Sequence, residues 1–244
     1  MNAVDIQGLT KRYSDMTAVD ALSLTIGEGE LFALLGVNGA GKSTAIKMLS
    51  GLTPPTEGDA LLMGHSIREE LDKVKRCLNV SPQETAVAPK LSVRENLELV
   101  AGLHGADRRS AHEAASAVME EFSFREIERK AAGKLSGGWQ RRLSIAMALI
   151  TKPQILFLDE PTLGLDVLAR RELWRVIEAL HGKITVILTT HYLEEAEALA
   201  DRIGILSRGK LIAVGTAAEL KEAAGVDSFE DAFVKLSENG GSAR

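Results

Sequence analysis

Residues 36–44 read GVNGAGKST, and no other stretch of the chain restricts its fold so tightly. Gly36, Gly41, Lys42 and Ser43 satisfy G-x-x-x-x-G-K-[ST], the pattern of a phosphate-binding loop. Such a loop turns consecutive backbone N–H groups toward one anion, which requires positive φ angles or a close approach that a Cβ obstructs. Gly36, Gly39 and Gly41 supply that freedom, and Asn38 and Thr44 are the loop's other candidate contacts. Lys42 adds charge for β- and γ-phosphates, Ser43 offers a hydroxyl to Mg²⁺, and the helix starting here points its positive end at the anion. Before the loop, LFALL at 31–35 has the length of a buried strand; after it, AIKML at 45–49 resumes helical spacing. Strand, loop and helix therefore follow in the order the motif demands.

The rest of the chain supports an α/β fold. Residues 3–9 and 21–26 read as strands, with KRYSDMTAVD between them as a connection carrying Tyr13. TPPTEG at 53–58 is a turn; strands are expected at 59–63 and 77–80, the second closed by Pro82 and Gln83. From 91 to about 130 the pattern becomes amphipathic and rich in Glu, Ala and Leu, which predicts a helical insertion. Apolar runs at 155–158, 184–188 and 202–206 then alternate with helical segments at 167–180 and 193–200, the rhythm of a parallel sheet with crossover helices. A turn at 207–210 leads to a last strand at 211–214, and short helices at 217–223 and around SFEDAFVKL precede the polar end ENGGSAR, which is expected to fray.

Bulk properties exclude several roles. A formal net charge of −5 offers no sequence-independent attraction to nucleic acid. The basic clusters at Lys73, Lys75 and Arg76, at Arg141 and Arg142, and at Arg170 and Arg171 read as solvated helix faces. Cys77 is alone, so it is expected to be a small core residue in a reducing compartment. MNAVDIQGLT lacks the marks of a secretory signal, and no apolar run approaches the roughly 20 residues that span a bilayer.

Three further stations carry chemistry. ILFLDE at 155–160 delivers Asp159 and Glu160 to a strand's C-terminal end, the edge where open parallel sheets bind ligands. Asp159 suits Mg²⁺, and Glu160 suits the orientation or deprotonation of an attacking water. LSGG at 135–138 opens a second glycine-rich helix start, with Ser136 at the N-cap and Gly137 and Gly138 leaving N–H groups free for an anion. TTH at 189–191 ends another strand and brings His191 to the sheet edge; with Glu194 and Glu195 it also has metal-ligand spacing, without a further marked ligand.

With these residues together, the chain resembles the nucleotide-binding subunit of an ATP-binding cassette (ABC) transporter over roughly residues 2–220. On that resemblance Tyr13 stacks on adenine, GVNGAGKST is the Walker A loop, and Gln83 is the Q-loop residue and a metal contact beside Ser43 and Asp159. LSGG is the signature, ILFLDEP is Walker B, Asp166 is the D-loop residue, and His191 is the switch histidine. The resemblance implies a P-loop NTPase fold with a mainly parallel central sheet, an N-terminal antiparallel β subdomain and an inserted α-helical subdomain. The ATPase domain would cover 1–220 with the insertion at about 89–140, and 221–244 would be a short helical tail.

It also implies ATP and Mg²⁺ as cofactors and a second cassette as partner. Two copies would face head to tail, Ser136 and Gly138 of one contacting the γ-phosphate held by the other. A separate permease would hold the pair at the cytoplasmic face of the membrane. The run GWQRRLSIAMALITKPQILFLDEPTLGLD, the THYLEEAEALADRIGILSRGKL block and SFEDAF look like the exporter group that handles drugs, polysaccharides or lipids. One residue departs from the pattern: Trp139 replaces the glutamine that usually follows LSGG. A soluble ABC ATPase acting on ribosome or DNA is disfavoured by the single uninterrupted cassette, and a non-hydrolysing ATP switch by the presence of Glu160 and His191.

Overall fold

The computed structural model describes residues 1–240, with side chains through residue 238. Strands β1 (Asn2–Tyr13) and β2 (Met16–Gly27) form a long antiparallel hairpin. KRYSDMTAVD is therefore the hairpin's far end and not a connection; its turn lies at Ser14, with φ 44°. Bulges obscure this in the sequence. The register shifts between Ile6 and Leu9 and again between Leu9 and Lys11, and Ala21 takes φ 47°, so strict alternation fails where both faces also meet solvent.

The chain then forms β3 (Leu31–Leu35), α1 (Lys42–Leu49), β4 (Glu57–Leu62), β5 (His65–Ser66), α2 (Leu71–Cys77) and β6 (Leu78–Ser81). Cys77 closes α2 and lies outside the strand, its thiol buried and donating to the Val74 carbonyl at 3.0 Å. Next come α3 (Val93–Leu103), α4 (Arg108–Glu121) and α5 (Gly137–Leu149), with 3-10 turns at Arg125–Ile127 and Ala132–Lys134. Ser92 caps α3 through a capping box with Glu95, and Asp107 caps α4. The last part alternates: β7 (Ile155–Asp159), α6 (Val167–Glu178), β8 (Thr185–Thr190), α7 (Leu193–Leu199), β9 (Arg202–Ser207), β10 (Lys210–Gly215), α8 (Ala217–Ala224) and α9 (Phe229–Gly240). Helix α8 runs across position 220, and α9 takes in the first three residues of ENGGSAR; residues 241–244 lie outside the described residues.

Among the described residues the strands make two sheets. The antiparallel one has the order β2-β1-β4-β5, the other β10-β9-β3-β8-β7-β6, parallel except for β10. The larger sheet is a middle layer, because alternate residues of its strands enter different cores. Phe32, Leu34, Phe157 and Ile187 pack with the antiparallel sheet and α1; Leu31, Ala33, Leu35, Leu156, Leu158 and Leu188 pack with the helical insertion and α5. Both faces being covered explains why these strands read as continuous apolar runs. The register sets Leu35 beside Thr190, and Asp159 beside Thr189, so three chain segments leave the sheet at one edge.

Candidate functional site

The glycines of the loop 36–44 have different duties. A Cβ on Gly36 would lie 2.4 Å from the Leu206 carbonyl oxygen, so Gly36 is required by packing against β9. Gly41, at φ 106°, would meet the Ala18 carbonyl at 2.4 Å, so it is required by the hairpin. Gly39, at φ 80°, has open space where a Cβ would be, as expected of a cradle that receives a ligand.

The charged groups beneath this cradle are already engaged. Lys42, 5% exposed, donates from Nζ to the Gly36 carbonyl at 2.6 Å and pairs with Glu160 Oε1 at 3.1 Å. Glu160 Oε2 lies 2.7 Å from His191 Nδ1. Ser43 Oγ donates to Asp159 Oδ1 at 3.1 Å, and Thr189 Oγ1 donates to the same oxygen at 2.6 Å. Glu160 is buried and takes φ 48°, an uncommon conformation for a residue with a Cβ, held by its N–H bonds to the carbonyl and hydroxyl of Thr189.

Over these groups opens a cleft of about 660 Å³. Asn38, Gly39, Gly41, Lys42, Ser43, Thr44, Gln83, Glu160 and His191 line it, so most of the residues expected from sequence converge. Asp159 lies just behind Ser43, and Gly36 supports the loop without lining the cleft. Tyr13 does not line it. Its ring stands at the hairpin tip with Lys11 Nζ 5.1 Å from its centroid, and Met16, Thr17 and Ala18 form the cleft wall there. Tyr13 is the register partner of Met16, so it stands directly beside that wall.

Leu163, Arg208 and Gly209 also line the cleft without having been singled out. The last two arrive because β9 neighbours β3: Gly209 N–H donates to the Ala40 carbonyl, and its own carbonyl accepts from Asp20 N–H, both at 2.9 Å. A turn signal such as Ser-Arg-Gly-Lys carries no strand order, so this proximity had no local sequence mark.

Arg141 overturns the solvated-face expectation. It is 4% exposed, and its guanidinium donates to the carbonyls of Pro161 (2.8 Å), Asp159 (2.7 Å), Gln83 (3.1 Å) and Pro82. Burial lowers its pKa to about 10. The reason is α5 itself, buried on most sides, which carries Arg141 under the turns that follow β6 and β7. One side chain thus joins the backbone at Gln83 to the backbone at Asp159.

The second glycine-rich turn stands apart. Ser136 and Gly138 line a different cleft of about 220 Å³ with Trp139, Arg142, Asp166, Leu168, Ala169 and Glu172, sharing no residue with the first. Ser136 has N-cap backbone geometry at α5, but its hydroxyl makes no cap bond, and Gly137 does not line the cleft. Gln140 bonds the carbonyls of Ala132 and Leu135, both at 3.2 Å, and so holds the segment before the turn. The Trp139 ring clusters with Arg142, 4.3 Å from its centroid, and with the Phe124 ring, 5.9 Å away and tilted by 59°. Asp166 caps α6, accepting from the N–H groups of Leu168 and Ala169 at 2.9 Å each.

The metal-ligand spacing of His191, Glu194 and Glu195 leads nowhere. His191 faces Glu160, Glu194 is exposed near Arg170, and Glu195 is fully buried against Trp174.

The family model described as ABC transporter matches residues 19–163. The chain is 41% identical over 239 residues to the probable multidrug ABC transporter ATP-binding protein YbhF of Escherichia coli (strain K12), covering 96% of this chain and 41% of that one. It is 42% identical over 229 residues to the daunorubicin resistance ATP-binding protein DrrA3 of Streptomyces coeruleorubidus, covering 93% and 72%. Thus the chain spans about two fifths of the first relative's length and most of the second's. The solved ATP-binding subunit of an ABC transporter superposes with a TM-score of 0.84 at 27% identity, covering 96% of this chain and 99% of that one. A dimeric ATP-binding cassette bound to ADP and Pi gives 0.78 at 26% identity, covering 87% and 98%.

Proposed function

The chain belongs to the ABC transporter family, and from that premise we propose that it is the ATP-binding and ATP-hydrolysing subunit of a membrane exporter. The observation that carries this reading is the line Lys42–Glu160–His191, at 3.1 and 2.7 Å and buried at its first two members, along the floor of a cleft beneath the open cradle at Gly39. Backbone N–H groups of the loop and Lys42 would hold the β- and γ-phosphates. A γ-phosphate at Lys42 would take the place Glu160 now occupies, leaving that carboxylate to His191 and an attacking water. Glu160 would then accept the water's proton while His191 keeps it oriented.

The donors around Asp159 fit a small hard cation: Ser43 Oγ and Asp159 Oδ1 are oxygens 3.1 Å apart at the cleft floor, and Gln83 lines the same cleft. Mg²⁺ bound there with ATP neutralises charge that develops on the phosphates. Asn38, Gly41 and Thr44 would complete the nucleotide contacts, with Met16, Thr17 and Ala18 on the nucleoside side and Tyr13, beside Met16, stacking on adenine.

The small cleft at Ser136 and Gly138 would close on the γ-phosphate held by a second copy, head to tail, so that each ATP is shared. Closure would move the insertion at about 89–140, and a separate permease docked near Gln83 would receive that movement, with residues 221–244 as an accessory tail. Among the described residues no helix is long and apolar enough to cross a membrane, which fits attachment at the cytoplasmic face through the permease. Export is supported by relatives named for drug resistance and Nod factor export. In the test, Glu160→Gln keeps ATP affinity within about threefold and lowers turnover at least about 100-fold. A variant that hydrolyses at the wild-type rate contradicts the assignment of the base.

A further inference from the structure

Glu195 is a buried ionisable group that the mechanism above leaves unused. It sits on α7, four residues after His191, with no exposed surface. Oε1 accepts from Trp174 Nε1 of α6 at 3.1 Å. The hydroxyls of Thr190 and Thr162 are its other polar neighbours, and both threonines are fully buried. Burying a carboxyl so completely is unfavourable when an apolar side chain would fill the same space, so its place needs a reason.

The reason lies in what its neighbours hold. Thr190 ends β8 immediately before His191; its carbonyl accepts from Gly36 N–H at 3.3 Å and its hydroxyl from Tyr192 N–H at 3.0 Å. Thr162 lies two residues after Glu160, in a turn where Leu163 N–H donates to the Glu160 carbonyl at 3.2 Å and Leu165 N–H to the Thr162 carbonyl at 3.1 Å. Trp174 belongs to the helix that Asp166 caps. One carboxyl therefore meets the segment carrying Glu160, the segment carrying His191 and the helix behind both. Among the described residues Glu195 Oε2 and Thr162 Oγ1 have no hydrogen-bond partner, so the carboxyl lies near the threonine with a free oxygen and its hydrogen bond is the one from Trp174. Burial pushes the Glu195 carboxyl up from its ordinary value, and the nearby Glu160 charge adds to this.

We propose that Glu195 is a positioning residue for hydrolysis: held on α7 by Trp174, its buried carboxyl stands by Thr162 and Thr190 and so helps set the distance between Glu160 and His191. The proposal rests on the catalytic reading of that pair. It differs from a packing role in requiring polar atoms, which Gln keeps and Leu does not.

The test is steady-state ATP hydrolysis by the full chain and its Glu195→Leu, Glu195→Gln and Thr162→Val variants, with Trp174 emission followed in a Trp139→Phe background that leaves it the one tryptophan. Glu195→Leu lowers kcat about tenfold with KM within about twofold, whereas Glu195→Gln stays within about threefold of wild type. Thr162→Val lowers kcat about threefold, and Trp174 emission shifts in Glu195→Leu and returns in Glu195→Gln. Glu195→Leu at the wild-type kcat overturns the proposal, as does a Glu195→Gln variant equally impaired. If Glu195→Leu does not fold, Thr162→Val decides, and an unchanged rate there overturns it. A wild-type protein without ATPase activity contradicts the catalytic reading instead, and Trp174 emission still decides the contact: no shift in Glu195→Leu rejects it.

Discussion

Two helices of this chain start on glycine-rich turns, and they are provided for differently. At α1 the loop is roofed by the hairpin and by β9, its lysine is buried, and the charges beneath it are paired within the chain. At α5 the turn is open, Ser136 makes no cap bond, and the charged groups Arg142, Asp166 and Glu172 line a much smaller cleft, Arg142 and Glu172 standing 3.9 Å apart. The first turn can receive an anion from the chain's own resources; the second offers N–H groups without a lysine, beside the carboxylates of Asp166 and Glu172. That difference is what a shared nucleotide site requires of its two halves.

Arg141 is where the two regions meet, and breaking it has the largest expected effect. It belongs to the helix that Ser136 starts, yet its donors end on the carbonyls of Gln83, Asp159 and Pro161 beside the large cleft. Arg141→Met leaves several buried acceptors without partners and lowers stability by about 3–5 kcal/mol, measured by denaturant unfolding. A loss below about 1 kcal/mol would mean that the turns hold without it. Next, Lys42→Ala weakens ATP binding to the isolated chain at least about 100-fold in a titration, worth about 2.8 kcal/mol. Undiminished binding would remove the distinction between the two turns.

The hydrophobic pattern and the motif at 36–44 made most of the fold legible, because buried parallel strands and their crossover helices have strong local signatures. KRYSDMTAVD was misread as a connection since bulged strands with two wet faces lose their period. Arg141 was invisible for the opposite reason: beside Arg142 it looks like a charged face, and only the packing of α5 under two distant turns shows that it is buried. Arg208 and Gly209 join the site through strand order, and Glu195 through the facing of a seven-residue helix, neither of which is a local property. Tyr13 stands beside the cleft wall as the register partner of Met16, a placement that only the hairpin pairing shows.

Smaller effects sharpen the contrast. Gly138→Asp leaves ATP binding to the isolated chain within about twofold but lowers turnover at least about tenfold, because a Cβ there meets that of Ala169 at 3.0 Å and the carboxylate repels an incoming phosphate. Equal losses in binding and turnover would place Gly138 in the chain's own site. Asp166→Ala removes the α6 cap and costs about 1 kcal/mol of stability, a fall of roughly 2–4 °C in Tm by calorimetry.

The central claim is that the two turns complete one site only across two copies, and sedimentation velocity of Glu160→Gln with and without Mg-ATP tests it most directly. The account predicts a monomer without nucleotide, a dimer with it, and loss of that dimer when Gly138→Asp is added. A protein that binds ATP at full stoichiometry and remains monomeric contradicts it.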